Sequence, residues 1–556
     1  MHQYFKFLPV LFLGWFLASG CGSTTESEDS FVLVDAIIYT ADDALPTAEA
    51  MAVVDGKVAM VGHEDEVLAA FPDLLLKSAG GRAVVPGFTD SHAHFMGLGQ
   101  EKLRVDLRGT RDIAEVIERI KTFATGLSDS TWIMGRGWNQ VLWPGRQFPT
   151  RQDLDAAFPN QPIWLSRVDG HASWANTAAM ELAGMDAIRA ASDPEGGAIL
   201  RDEAGEPTGV FIDTAQRFVS RVTPSLTEAD LDRALELALS EAAEMGLTGI
   251  HDAGVGATTI DRYKRFIDEN RFTVRMYAMV GGPGSTFDAY CNNHLLDYGD
   301  RLTVRSVKLV LDGALGSRGA ALIDDYSDHP GNKGLIRTTV EDFNDTVQKA
   351  LACGYQVNTH AIGDRANRVL LDGYEMAGAT PEGRHRDEHT QIIELEEIPR
   401  FQKLGIIASM QPTHATSDLN MAEDRLGSHR IKGAYAWRTL KDAGIPLAFG
   451  SDFPVEKSNP LEGFFSSITR QTQELLPEGG WYPEERLTRE ETLKAFSLDG
   501  AFASFEENNL GSLSVGKFAD FVVLSDDIMT IPPPQILSTK VVATFFGGKA
   551  IFGSID

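Results

Sequence analysis

Two histidines one residue apart, His92 and His94, end the run Val84-Val85-Pro86-Gly87-Phe88-Thr89-Asp90-Ser91-His92-Ala93-His94. On a strand, residues i and i+2 point to the same face, so two imidazoles at a strand end can hold one metal ion. Four later residues stand at the ends of apolar, strand-like runs and extend this candidate site: Lys308, His360, His389 and Asp452. Lys308 lies in Val304-Arg305-Ser306-Val307-Lys308-Leu309-Val310-Leu311-Asp312-Gly313. A lysine inside an apolar strand is costly unless it is neutralised or paired. An ammonium has no lone pair for a metal. A lysine carbamate, formed with carbon dioxide, offers two oxygens and can bridge two ions; a salt bridge to Asp312 or Asp452 is the alternative. His360 and His389, each taken alone, read equally well as hydrogen-bonded core histidines. Taken with His92 and His94 they read as ligands. Asp452 follows Leu447-Ala448-Phe449-Gly450-Ser451 and offers a carboxylate that can bind an ion and hold a proton from water. Its plainer reading is a helix N-cap ahead of Pro454.

These residues need a scaffold that brings strand ends together. Eight strand candidates lie at 83–85, 248–252, 273–280, 304–311, 356–360, 386–389, 406–411 and 446–450, with helical stretches such as 228–245 and 340–352 between them. That alternation implies a parallel sheet with crossover helices, and the count fits a closed (β/α)8 TIM-like barrel. A doubly wound open sheet is the alternative. Every candidate ligand then falls at the C-terminal strand ends, where barrel active sites lie. The gap after the first strand is too long for one crossover, so about 97–227 is an insertion, placed to cover the catalytic face. Strand-like runs at 31–38, 50–54 and 57–61, the last two joined by Asp55-Gly56, are matched by runs at 518–524 and 541–546. The expected organisation is a small composite β-sandwich domain from 31–85 and 505–556, and the barrel over 86–504.

The chain of 556 residues carries a formal charge of −29, so nucleic acid and anionic lipid are poor partners for its surface. Residues 1–20 read as a signal segment: Lys6, then an apolar stretch too short to span a bilayer, then Leu17-Ala18-Ser19-Gly20-Cys21. Small residues before a cysteine resemble a bacterial lipobox, with lipid expected on Cys21, although Ala18 stands where leucine is commonest. A plain secretory signal is the alternative. The expectation is an extracytoplasmic lipoprotein, membrane-anchored through lipid rather than a spanning helix. Residues 21–30 form a polar linker. Cys291 and Cys353 suggest no disulfide framework and no zinc–thiolate knuckle, and a bridge between them has no sequence support.

The chain resembles the amidohydrolase superfamily, and within it amidohydrolase family 3, the branch with YtcJ-like proteins and N-substituted formamide deformylase. The resemblance runs from about residue 31 to the C-terminus. It is carried by Gly137-Trp138-Asn139-Gln140, Asp169-Gly170-His171, Lys308 with Asp312-Gly313, Gly316-Ser317-Arg318, His360-Ala361-Ile362-Gly363-Asp364, Gly450-Ser451-Asp452, and Gly511-Ser512-Leu513 with Gly516-Lys517-Phe518-Ala519-Asp520. It implies two divalent ions, zinc first with iron or manganese as alternatives. His92, His94 and Asp452 would hold one, His360 and His389 the other, and carbamylated Lys308 would bridge them. It implies metal-activated water attacking a non-peptide carbon–nitrogen bond of a small-molecule substrate, with Asp452 moving the proton. Asp169, His171, Trp138, Arg318 and His414 are the expected substrate contacts. His251 is expected to pack, while His2, His63, His294, His329, His385 and His429 read as ordinary surface or loop residues. An esterase or lactonase on the same site, and a non-catalytic metal-binding or ligand-binding lipoprotein, are the rival functions. A homodimer is the oligomeric expectation, though no residue fixes it.

Overall fold

The structure, a computed structural model, describes residues 29–128 and 130–556. The expected signal segment and Cys21 lie outside the described residues. Eight parallel strands run in order round a barrel: β1 (Phe88–Ala93), β2 (Leu247–Val255), β3 (Arg275–Gly281), β4 (Leu302–Val310), β5 (Gln356–Ala361), β6 (Arg386–His389), β7 (Ile407–Met410) and β8 (Leu447–Phe449). Their residues are almost wholly buried, as a sheet covered on both faces requires. The crossover helices follow from local sequence. Helix α1 (Glu228–Glu244) starts at a capping box of Thr227 and Asp230. It turns Ala234, Leu235, Ala238, Leu239 and Ala242 inwards at helical spacing.

The barrel is nearly closed. Among the described residues no strand ladder joins β8 to β1. The seam is latched instead by the Asp90 carboxylate, which accepts hydrogen bonds from the Ser451 hydroxyl at 2.6 Å and the Ser451 backbone N–H at 3.1 Å. Two main-chain bonds continue the latch: Asp452 N–H to the His92 carbonyl and His94 N–H to the Phe453 carbonyl, both 2.8 Å. Gly450 is required by space, because a Cβ there would stand 2.5 Å from Asp90 Oδ1 and 2.6 Å from the His92 nitrogen.

The first barrel strand is Phe88–Ala93, not the expected 83–85, which belongs to a second sheet. The strand Leu75–Pro86 pairs with Phe31–Tyr39 on one side and Phe521–Leu524 on the other, so the chain leaves that sheet at Pro86 and enters the barrel one residue later. This eight-stranded sheet draws on both chain ends, from Lys57–Gly62 to Lys549–Gly553, and buries Phe31, Phe521 and Phe545 together.

After β1 the helix Phe95–Lys102 packs on α1, so the insertion begins later than the expected 97. It is a six-stranded sheet running from Val105–Asp106 to Pro207–Asp213, with its own core around Trp138, Trp143 and Trp174. Cys291 and Cys353 form a disulfide, a single bridge that the sequence allowed without supporting it. Cys291 ends the helix after β3 and Cys353 caps the helix before β5. The two helices flank β4, so the barrel joins residues 62 apart in sequence.

Candidate metal centre

The strand ends bring His92, His94, Lys308, His360, His389 and Asp452 into one cluster. Nε2 of His94 lies 3.2 Å from Asp452 Oδ1, and Nε2 of His92 lies 3.7 Å from the same oxygen. Lys308 Nζ sits 2.9 Å from His92 Nε2. The His389 ring stands 4.7 Å from that of His92 and 4.5 Å from that of His360. His92, His389 and Asp452 offer donor atoms within 4.8 Å of one another. His389 therefore stands beside the ligands expected for the first ion as well as beside His360.

Each of three imidazoles is aimed through its Nδ1. His92 Nδ1 meets Glu388 at 2.5 Å, His94 Nδ1 meets the Ala253 carbonyl at 3.0 Å, and His389 Nδ1 meets Gln411 Oε1 at 2.8 Å. An oxygen acceptor on Nδ1 places the hydrogen there and leaves the Nε2 lone pair for the centre. The backbone is also committed: His389 has φ 86 and Asp452 φ 60, a left-handed conformation that non-glycine residues hold only where surroundings enforce it.

Burial, reinforced by the Lys308 charge, pushes His92 down to about 4, so its imidazole is neutral and able to ligate. Burial likewise lowers His389 well below the ordinary histidine range, helped by the neighbouring imidazoles. At Asp452 burial acts upwards, but His94, His92 and His414 outweigh it and hold the carboxyl at about 2. Burial lowers Lys308 below the ordinary lysine value against the pull of Glu388 and Asp452.

The substrate-contact expectations divide. His414 belongs to the cluster, with Nε2 3.9 Å from Asp452 Oδ2 and its ring stacked on His389 at 5.9 Å. Arg318 lies on the loop after β4, paired with Asp328 at 2.7 Å. Trp138 is a correction: it is fully enclosed in the insertion core, its N–H donating to the Leu165 carbonyl, and it has no face for a ligand. Asp169 and His171 sit on an exposed insertion loop. Asp169 pairs with Arg167, and His171 pairs with Asp213 at 2.7 Å with its side chain 75% exposed. Neither is in contact with the cluster. His251 packs against Tyr277, as expected. His294 and His385 lie in loops, as read, but are not at the free surface: His385 is buried, and His294 bonds the carbonyls of both cysteines.

Asp312 and Glu388 do more than sequence spacing disclosed. Asp312 accepts backbone N–H bonds from Ala321, Ile362 and Gly363 at 2.8 to 3.0 Å and lies 3.4 Å from His360 Nε2. It ties the loop after β4 to the end of β5. A signal existed in the charged residue that follows an apolar strand, but its partners are distant in sequence.

The donor set fits a divalent ion. Buried His360 Nε2 and His414 Nε2 have no hydrogen-bond partner, and Asp452 Oδ1 sits among imidazoles without an aligned hydrogen. Polar atoms left this way cost free energy unless something meets them. Imidazoles and oxygens at barrel strand ends define a metal-dependent barrel hydrolase. The Amidohydro_3 family model, described as amidohydrolase family, matches residues 78–552, and the chain belongs to that family. It is 31% identical over 523 residues to the putative amidohydrolase YtcJ of Bacillus subtilis, covering 93% of this chain and 98% of that protein. It is 28% identical over 538 residues to N-substituted formamide deformylase of Arthrobacter pascens, covering 93% and 97%. An uncharacterised metal-dependent hydrolase from Pyrococcus furiosus superposes with TM-score 0.73 at 26% identity, covering 90% of this chain and 100% of that one.

Proposed function

We propose that this enzyme hydrolyses a non-peptide carbon–nitrogen bond in a small N-acyl, formamide or related amide substrate. The carrying observation is the cluster itself: Asp452, held ionised, lies within 4 Å of three imidazoles, His92 and His94 from the end of β1 and His414 from the end of β7. The likeness to N-substituted formamide deformylase supports the bond type. His92, His94 and Asp452 would hold one ion and His360 and His389 the second, and a carbamylated Lys308 would serve both; zinc suits these donors, and iron or manganese would also be accepted. A bound ion lowers the pKa of a held water and polarises the scissile carbonyl. Asp452 Oδ2 takes the proton from the attacking water and passes it to the leaving nitrogen. His414, beside that oxygen, and Arg318, on the loop after β4, contact substrate. The disulfide supports an oxidising, extracytoplasmic setting, and Cys21 supplies the lipid anchor.

The test is zinc-loaded protein assayed on matched N-substituted formamides and esters. Turnover of the formamide above the ester supports the reading. Turnover of esters alone replaces it with an esterase, and full metal loading without turnover of either overturns it.

A further inference from the structure

We propose that Glu388, held in place by Arg386, is a positioning residue that fixes which nitrogen of His92 faces the metal and so sets how tightly that ion is bound. The inference rests on the metal-centre reading above. Glu388 Oε2 lies 2.5 Å from His92 Nδ1, while His92 Nε2 points the other way, 2.9 Å from Lys308 Nζ. An ionised carboxylate only accepts, so the ring hydrogen stays on Nδ1 and the Nε2 lone pair stays with the centre.

Arg386 makes the carboxylate immobile. Its Nε lies 2.8 Å from Glu388 Oε1, and its Nη2 donates to Glu388 Oε2 at 3.3 Å. The same guanidinium donates to the Ser91 carbonyl on β1 and to Ser409 Oγ on β7, and it meets His251 Nδ1 on β2. Arg386, Glu388 and His92 are all fully buried. A buried ion pair does little for stability by itself, because desolvation cancels most of the attraction. This pair gains a purpose from its direction, since one carboxylate oxygen is spent on a ligand imidazole. His94 and His389 are aimed by neutral acceptors, Ala253 and Gln411. Of the three imidazoles aimed through Nδ1, only His92 is backed by a carboxylate rather than a neutral oxygen.

The test is Glu388→Gln in the full chain. An amide replaces one of the two oxygens by an NH2 that only donates, so either Arg386 Nε or His92 Nδ1 is left facing a group that cannot accept. Zinc affinity, read by chelator competition on a variant whose far-UV circular dichroism matches wild type, is expected to fall about tenfold or more, and the metal-free Tm falls as well because Arg386 loses its buried counter-charge. Unchanged affinity in the folded variant overturns the proposal. A neutron structure of the wild-type protein gives an independent readout: hydrogen on His92 Nδ1 supports the proposal, and hydrogen on Nε2 overturns it. Wild-type protein that takes up no zinc would overturn the metal-centre reading itself, and the neutron result still decides the tautomer.

Discussion

Lys308 and Asp452 divide the work of the site in a way that substitution can separate. In the proposed centre Lys308 would bridge the ions, so Lys308→Ala is expected to drop metal content from about two ions per chain to one or none, measured by elemental analysis. Asp452→Asn keeps the shape and one donor oxygen but cannot carry a proton; kcat is expected to fall about 100-fold or more with metal largely retained. The residues that cluster at the strand ends were legible because chemistry constrains their type and the strand repeat constrains their spacing. Their supports were not. Glu388 meets His92 across 296 residues, and Asp312 meets Ile362 across 50. A charged residue beside a ligand in sequence says nothing about which distant ring it will face. Trp138 misled for the opposite reason: a motif shared along the chain does not reveal whether its aromatic ring lines a pocket or a core.

Among the elements, the loops after the strands hold the site in register. Asp312 gathers three backbone N–H groups from the loop after β4 and the end of β5. Asp312→Ala strands these donors in a buried place, and the expected loss is about 3 kcal/mol or more, read by denaturant unfolding, with His360 loosened as a result. The alternation of strands and helices made the barrel readable, and seven of the eight strand candidates fall on β2 to β8. The first did not, because the apolar run continues across Pro86-Gly87 from one sheet into another. Composition is the same on both sides of that junction; only pairing partners distinguish them. The insertion was visible as a gap in the rhythm, but its own sheet was not, since short strands around tryptophan and glycine carry weak periodicity.

Across the whole molecule, the barrel and the terminal sheet meet near Arg275, which is paired with Asp520 at 2.9 Å, and near Glu506. Packed surroundings push the Glu506 carboxyl from its ordinary 4.5 up to about 7, burial being the main cause. The folded state therefore binds this proton more tightly than the unfolded chain. Its contribution is fully present below the unfolded pKa and is lost as pH rises to about 7. Glu506→Gln is expected to raise Tm by ~1–2 °C at about pH 8.5 and to leave it unchanged at about pH 4, as calorimetry on both proteins would show.

The latch between β8 and β1 has a mechanical consequence. The first and last candidate ligand segments, His92 and Asp452, sit on opposite sides of the barrel interface that, among the described residues, lacks a strand ladder. An ion gripped by both would act as a rivet through a staved cask, turning a sprung joint into a fixed one. Metal then belongs to the folding equilibrium as well as to the chemistry, because whatever binds only the assembled form stabilises it by mass action. Chelation is expected to quicken amide hydrogen exchange first at Ser451, Asp452 and His94, while β3 to β5 stay protected. Uniform loosening around the ring would show that the rivet is ornamental.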